Sequence, residues 1–375
     1  MPLGFYLVFM FDGLQEGYMK KSLVVLLLLF CSLTGFAADK RFDTFVVFGD
    51  SLSDNGNLYN YMWHLLPASP PYYEGHFSNG LLWIEYLYKS YFSDGHAEGF
   101  QDYAVGGAGA ILSYKENLPF TLTVELDDYL YWNTYDRKES TLYTIWIGAN
   151  NYLNGPTNIE PLTDAVVDAI GGVVERIIGY GGNKFLLVNL PDMGLSPQAR
   201  ENHMESLLTE LTRAHNRKLA EKVEQLRQKY PDKIFVYFDV HHFLNYAIEH
   251  ASDYGITNVT EPCYTGGYRG WLPEVFGDDT LLYDDLQKQN VKFTEKRWQM
   301  IQSNPSLLEA TRFGYWYRIL SETPQDEPLN CESYLFWDRV HPTTVAHYLI
   351  GQQARLLLDE AGLEAFSDNE AGLIR

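Results

Sequence analysis

The sequence is poor in cysteine and in positive charge. Three cysteines in 375 residues, Cys31, Cys263 and Cys331, are too few for a disulfide-stapled fold, and their spacing matches no zinc site. Lys plus Arg number 28 against 49 Asp plus Glu, a net charge of −21. So acidic a chain has no electrostatic footprint for a phosphate backbone, which argues against nucleic-acid binding. Anionic membrane surfaces would repel it. No apolar run approaches the roughly 18 residues that a bilayer-spanning helix requires. Gly106-Gly-Ala-Gly109 has Leu112 where a dinucleotide loop needs its third glycine, and Gly-Lys-Ser/Thr occurs nowhere. Gly49-Asp-Ser51-Leu-Ser53 is not the Gly-x-Ser-x-Gly elbow of a standard α/β-hydrolase.

Metal chemistry is equally thin. His241-His242 has no third ligand at useful spacing, so a loop or helix-capping role is expected. Asp127-Asp128, Asp278-Asp279 and Asp284-Asp285 lack EF-hand spacing and read as solvated faces. No metal and no cofactor is expected. What the chain does have is apolar and aromatic bulk. Hydrophobic residues make up 46%, with 28 Tyr, 21 Phe and 8 Trp, enough for a sizeable core in one large domain or two smaller ones.

The N-terminus reads as a secretory signal. Met19-Lys20-Lys21 precedes an apolar run from Leu23 to Phe30, and Gly35 and Ala37 supply the small residues of a cleavage site. Met19 is the better initiator, with an upstream extension before it and cleavage expected after Ala37. The bulky Phe30 before Cys31 argues against lipoprotein attachment. Within residues 1–37, Asp12 and Glu16 cancel Lys20 and Lys21, so the remainder keeps the whole −21. In an oxidising compartment Cys263 and Cys331 are expected to pair; the alternative is two free buried thiols.

Phe45–Phe48, Leu142–Ile147, Phe185–Leu190 and Ile234–Val240 are short apolar runs that read as strands buried on both faces, with Phe100–Val105 a weaker fifth. Helical spacing lies between and after them, at Leu81–Phe92, Pro161–Tyr180, Ser206–Tyr230 and about Thr343–Ala361. Alternating strands and helices imply a parallel sheet covered on both faces. The stretch 246–330 has weaker periodicity and reads as a lid-like insertion in one domain spanning 38–375.

In such sheets, ligands gather at the carboxyl ends of the strands. The residues found there are complementary. Ser51 follows the first strand, Gly106-Gly107 the weak strand and Asn150 the Ile147 strand, while Asp338-x-x-His341 precedes the last helix. A serine hydroxyl needs a base, a base histidine needs a carboxylate to fix its tautomer, and a developing oxyanion needs N–H donors. The aromatic groups Tyr59-Tyr61-Trp63 and Tyr72-Tyr73 fit equally an acyl groove or core packing.

Gly49-Asp50-Ser51-Leu52, Gly107, Gly148-Ala-Asn150 and Asp338-x-x-His341-Pro342, in that order, resemble the four blocks of the GDSL (SGNH) lipases and esterases. His76-Phe-Ser-Asn-Gly80 and Tyr334-Leu-Phe-Trp-Asp338 add to the likeness, which spans Phe45 to Gly351. The resemblance implies a three-layer, flavodoxin-like α/β/α sandwich around a parallel sheet of about five strands. It implies Ser51 as nucleophile, His341 as acid and base, and Asp338 as its partner. The oxyanion donors would be the Ser51 and Gly107 N–H groups and the Asn150 side chain. The nearest branch is the secreted bacterial phospholipase, lysophospholipase and glycerophospholipid:cholesterol acyltransferase group, which an insertion before the Asp-x-x-His block fits. One departure is Asn151, where the family has Asp.

The expected function is an exported serine ester hydrolase acting on (lyso)phospholipid acyl esters. A sterol or another alcohol is a possible acceptor, contact with a lipid interface would be transient, and no obligate protein partner is expected. The alternatives are a carbohydrate acetylesterase on the same fold and a catalytically inactive surface-binding module.

Overall fold

All five expected strands become neighbours in one parallel sheet. The computed structural model describes residues 39–366 except 63, 65, 93–98, 113–119, 135–136, 266–278, 290–292, 306, 309–310 and 313–329, so the signal segment falls outside the described residues. From Lys40 onward the chain forms one compact unit. A two-residue strand β1 (Arg41–Phe42) leads into β2 (Thr44–Gly49), followed by β3 (Phe100–Asp102), β4 (Thr141–Trp146), β5 (Lys184–Val188) and β6 (Ile234–Phe238). The sheet order is β3-β2-β4-β5-β6, with every pairing parallel. All residues of β4 and β5 are buried, as are Phe45 to Phe48 of β2. That is why these strands read as continuous apolar runs rather than alternating ones.

This order creates the functional edge. The chain leaves β2 to one side for β3, then crosses back to the other side for β4. The loops after β2 and β4 therefore diverge and open a crevice at the switch point. Right-handed crossovers taken in opposite directions place their helices on opposite faces. Helix Trp83–Tyr91 connects β2 to β3 and packs against the last helix, Thr344–Glu360. Helices Leu122–Trp132, Ile159–Gly179 and Glu205–Lys229 belong to the reverse direction and pack on one another. The result is the α/β/α sandwich anticipated from the strand–helix alternation.

Helices Leu122–Trp132 and Val240–Glu249 are among those that escape a reading by periodicity. In Leu122–Trp132 the buried stripe is Leu122, Glu125, Leu126 and Tyr129, and a glutamate inside it masks the pattern. The run expected as strand up to Val240 ends at Phe238 instead. The Asp239 side chain accepts the His242 N–H at 3.0 Å, an N-cap that starts the helix Val240–Glu249.

Within the stretch expected as an insertion, β7 (Asn258–Pro262) pairs in parallel with β8 (Tyr334–Phe336). Helices Asp279–Gln289 and Glu295–Gln302 follow β7. Leu282, Leu286, Phe293, Trp298 and Ile301 form an apolar cluster separate from the main core. Near the C-terminus β9 (Glu364–Ala365) pairs with β1. The Cys263–Cys331 disulfide is formed, with Cα atoms 5.8 Å apart, and it links the residue after β7 to the segment leading into β8.

That disulfide bridges a separation of 68 residues, so loop-closure entropy assigns it about 4 kcal/mol. Replacing both cysteines with serine lowers the urea midpoint by the corresponding amount. An unchanged midpoint would show that neighbouring contacts alone hold β7 to β8.

Candidate active site

The crevice receives Ser51 from a tight turn. After β2, the N–H groups of Ser53 and Asp54 donate to the Asp50 carbonyl at 2.9 and 3.0 Å, which closes the turn and presents Ser51 with 6% exposure. The Asp54 carboxylate then ties two loops together. It accepts N–H groups from Gly56 at 2.8 Å, Asn57 at 2.5 Å and Leu58 at 3.1 Å, and from Gly106 across the crevice at 2.6 Å.

Opposite Ser51 lies the turn that ends β8. The N–H groups of Val340 and His341 donate to Asp338 Oδ1 at 2.8 and 2.7 Å. His341 Nδ1 lies 2.7 Å from Asp338 Oδ2, and His341 Nε2 lies 2.8 Å from Ser51 Oγ. A carboxylate only accepts, so Nδ1 carries the imidazole proton and Nε2 accepts the serine hydroxyl. Asp338 is fully buried. Burial raises its pKa, but the His341 charge and the hydrogen bonds from the His341 ring, its backbone N–H and the Tyr72 hydroxyl outweigh burial and hold it below the usual carboxylate value. The line Ser51–His341–Asp338 is the arrangement that lets an imidazole take a hydroxyl proton and keep the resulting charge beside a carboxylate.

The glycine loop after β3 contributes the next group. A Cβ on Gly106 would stand 2.4 Å from the Phe77 ring, and that ring packs on His341 with centroids 5.1 Å apart. Gly107 has φ +78°, a conformation that favours glycine, and lines the cavity together with Ser51, Asn150 and His341. Asn150 enters from the short turn after β4, and its Nδ2 donates to the Ala108 carbonyl at 2.9 Å. The departure at Asn151 is structurally sound. Its Oδ1 accepts the Ala110 N–H at 2.8 Å while its Nδ2 donates to the Ile111 carbonyl at 2.7 Å. A carboxylate has only acceptors, whereas an amide satisfies both partners of this loop. Leu153, Met193, Leu244, Ile248 and Leu335 form the apolar wall of the same cavity.

Three further residues belong to the site. Tyr72, weighed between groove and core, donates its hydroxyl to Asp338 Oδ2 at 2.7 Å. Glu125 Oε2 accepts the Gly49 N–H at 2.9 Å beneath the serine turn, and burial holds its pKa well above the ordinary glutamate value. Only its place inside an apolar helical stripe hinted at burial. Asp50 lines the cavity; its Oδ1 accepts the Leu52 N–H at 3.1 Å, while Oδ2 is buried without a hydrogen bond. Burial pushes the Asp50 pKa up to about 7, and the Leu52 N–H and His341 only partly offset it.

None of the candidate metal residues among the described ones lines this cavity. His241 contacts Asn245 at 3.3 Å, and Asp127 pairs with Arg176 at 2.6 Å. Asp128 accepts from the Trp132 indole at 3.1 Å, and Asp278 lies outside the described residues. Among the described residues, no group of three or more His, Cys, Asp and Glu is placed to hold a metal.

Asp50 makes stability depend on pH in a defined sense. Below its unfolded value of 3.8 both states hold the proton; between 3.8 and about 7 only the folded state does. Stability therefore falls as pH rises through that window, by up to about 4 kcal/mol. Asp50→Asn, neutral at every pH, removes this part of the slope. Urea unfolding of both proteins at about pH 4 and about pH 8 reads the difference, and parallel pH dependences would show that Asp50 ionises normally.

The GDSL-like Lipase/Acylhydrolase family model matches residues 45–354. The chain is 33% identical over 349 residues to the phosphatidylcholine-sterol acyltransferase of Aeromonas hydrophila, covering 91% of this chain and 98% of that protein. It is 29% identical over 222 residues to the secreted effector protein SseJ of Salmonella typhimurium, covering 59% of this chain and 52% of that protein. It is 23% identical over 347 residues to the thermolabile hemolysin of Vibrio parahaemolyticus, covering 86% and 69% respectively. The matched span runs from β2 into the last helix and includes Ser51, Gly107, Asn150, Asp338 and His341. With the match covering most of the chain, the protein belongs to the GDSL-like lipase/acylhydrolase family.

Proposed function

We propose that this protein is an exported serine hydrolase that cleaves acyl esters of phospholipids and lysophospholipids through an acyl-enzyme, with a sterol or another alcohol as an alternative acyl acceptor. The observation that carries the reading is a continuous hydrogen-bonded line, Ser51–His341–Asp338, opening into a cavity with an apolar wall. An apolar wall of this extent favours a long acyl chain over an acetyl group, and so a lipid over an acetylated carbohydrate. The similarity to a phosphatidylcholine-sterol acyltransferase along nearly the whole chain supports the lipid reading and the sterol acceptor. Export rests on the signal pattern in residues 1–37, ahead of a single catalytic domain in which 246–330 is the insertion. Among the described residues no helix is long and apolar enough to cross a membrane.

In the mechanism, Ser51 Oγ attacks the ester carbonyl while its proton passes to His341 Nε2. The negative charge that develops on the carbonyl oxygen is held by the Ser51 and Gly107 N–H groups and the Asn150 side chain. Gly107 rather than Gly106 takes this part, since the Gly106 N–H is already donated to Asp54. His341 then gives its proton to the departing alcohol. In the second half, water or an acceptor alcohol loses a proton to His341 and attacks the acyl-serine. The tetrahedral intermediate collapses as His341 returns the proton to Ser51. Since His341 acts as a base only when neutral, the rate falls toward acid pH.

The direct test is to incubate the purified protein and Ser51→Ala with phospholipid vesicles, with and without cholesterol, and to identify the products by mass. The wild type is expected to release fatty acid or form a steryl ester. Ser51→Ala is expected to lose at least about a thousandfold in rate; equal rates would overturn the assignment. A second measurement probes the apolar wall. Leu244→Trp and Ile248→Trp fill the space a distal acyl segment would occupy. Each is expected to lower kcat/KM on palmitoyl esters by about tenfold and on butyryl esters by less than about twofold. Equal losses on both chain lengths would remove the wall from substrate recognition.

A further inference from the structure

We propose that Tyr72 is a positioning residue of the ester-hydrolysis site, its hydroxyl fixing the Asp338 carboxylate and moderating the negative charge that His341 feels. The inference rests on the reading of Ser51, His341 and Asp338 as the reacting machinery. Tyr72 acts through Asp338, whose Oδ2 its hydroxyl meets.

Asp338 receives four donors. Oδ1 takes the backbone N–H groups of Val340 and His341. Oδ2 takes His341 Nδ1–H and the Tyr72 hydroxyl, each at 2.7 Å. A carboxylate offers about four acceptor positions, so Tyr72 completes the set. It is also the donor most remote in sequence, 266 residues away, while the others lie within three residues of Asp338. The local turn therefore builds three quarters of the cradle, and a separate loop closes it.

The ring of Tyr72 is built in rather than resting on a surface. It is 3% exposed and meets Phe77, Tyr264 and Trp337 edge-on, with centroids 6.1, 5.8 and 5.8 Å apart. Tyr264 and Trp337 stack on each other at 5.1 Å, and Trp337 directly precedes Asp338. Phe77 packs on His341. One aromatic group thus contacts both partners of the His341–Asp338 pair and aims a hydroxyl at the oxygen they share.

Donation to Oδ2 draws charge from the oxygen that faces the imidazole. Without it, the carboxylate holds the imidazolium more strongly, and the neutral base form appears only at higher pH. Among the described residues, the other titratable groups whose charge acts on the pair are Asp50, His347 and Tyr264. Burial keeps His347 uncharged, its pKa lowered to about 3, and raises Tyr264 above the ordinary phenol range. Asp50 is the one group in this set that titrates near neutrality, so it needs its own control.

The test compares wild type with Tyr72→Phe, which keeps the ring and removes only the hydroxyl. Two readouts are used: kcat and KM on a p-nitrophenyl ester across pH, and the pH dependence of Ser51 labelling by a fluorophosphonate. Tyr72→Phe is expected to lower kcat by about tenfold, leave KM within about twofold, and move the acid limb of both profiles up by about half a pH unit. Thermal melting confirms that the compared proteins are folded. The same shift is expected in an Asp50→Asn background. A limb that stays in place overturns the proposal. So does a shift that vanishes in the Asp50→Asn background, or one reproduced by Tyr73→Phe on the neighbouring residue. A wild type that neither turns over ester nor labels at Ser51 overturns the hydrolase reading itself, and the proposal with it. Labelling with an unmoved limb overturns only the role of Tyr72.

Discussion

A carboxylate with no contact to water is the constraint around which this site is organised. Burying a lone charge costs far more than the few kcal/mol by which proteins are stable, unless its hydration is replaced by donors. Asp338 is fully buried, and its replacement shell is complete: two backbone N–H groups, one imidazole and one phenol. Each donor has to be held from elsewhere. The turn Asp338–His341 supplies three of them because β8 delivers it at a fixed angle, and the disulfide fastens β8 to β7. The fourth comes from the Tyr72 loop, held by stacked aromatics. The demands of one charge thus account for the placement of a turn, a strand pair and an aromatic cluster.

The opposite wall of the crevice solves a related problem with a different outcome. Asp50, Asp54 and Glu125 gather around the end of β2. Asp54 uses four backbone N–H groups to fasten the serine turn to the glycine loop. Glu125 has one donor, Gly49, and Asp50 has one, Leu52. Burial prevails over these donors and all three pKa values rise, that of Asp54 despite its four N–H groups. Within one small region, then, a carboxylate is held charged on the histidine side while others are driven toward the neutral form on the strand side. The formal charge of −21 accordingly overstates the charge near the crevice.

Much of this was legible in the sequence because the signals are local. A strand buried on both faces is a run of apolar residues, and four of the five sheet strands announced themselves in that way; β3, Phe100-Gln-Asp102, is only partly buried and read more weakly. Helix Glu205–Lys229 was readable because Leu211, Ala214, Leu219, Val223 and Leu226 repeat on one face. Helix Leu122–Trp132 was not, because Glu125 interrupts its stripe for a reason found only in the site. Helix Val240–Glu249 was hidden by an apolar run that continued past the Asp239 cap. Tyr72 was ambiguous for a physical reason as well. A buried tyrosine looks the same in sequence whether its hydroxyl meets a carboxylate or its ring merely packs.

The sequence by itself determined the order of the elements, the parallel sheet and the residue types that gather at its carboxyl edge, since hydrophobic periodicity and short motifs are properties of neighbours along the chain. The tertiary structure alone decided which groups complete one another. That Asp338 is closed by a tyrosine 266 residues away, that Gly106 spends its N–H on Asp54, and that Asn151 serves its loop as both donor and acceptor are matters of distance between segments. The raised pKa values of Asp50 and Glu125 likewise follow from burial and from the carboxylates gathered around them, conditions that exist only once the chain has folded.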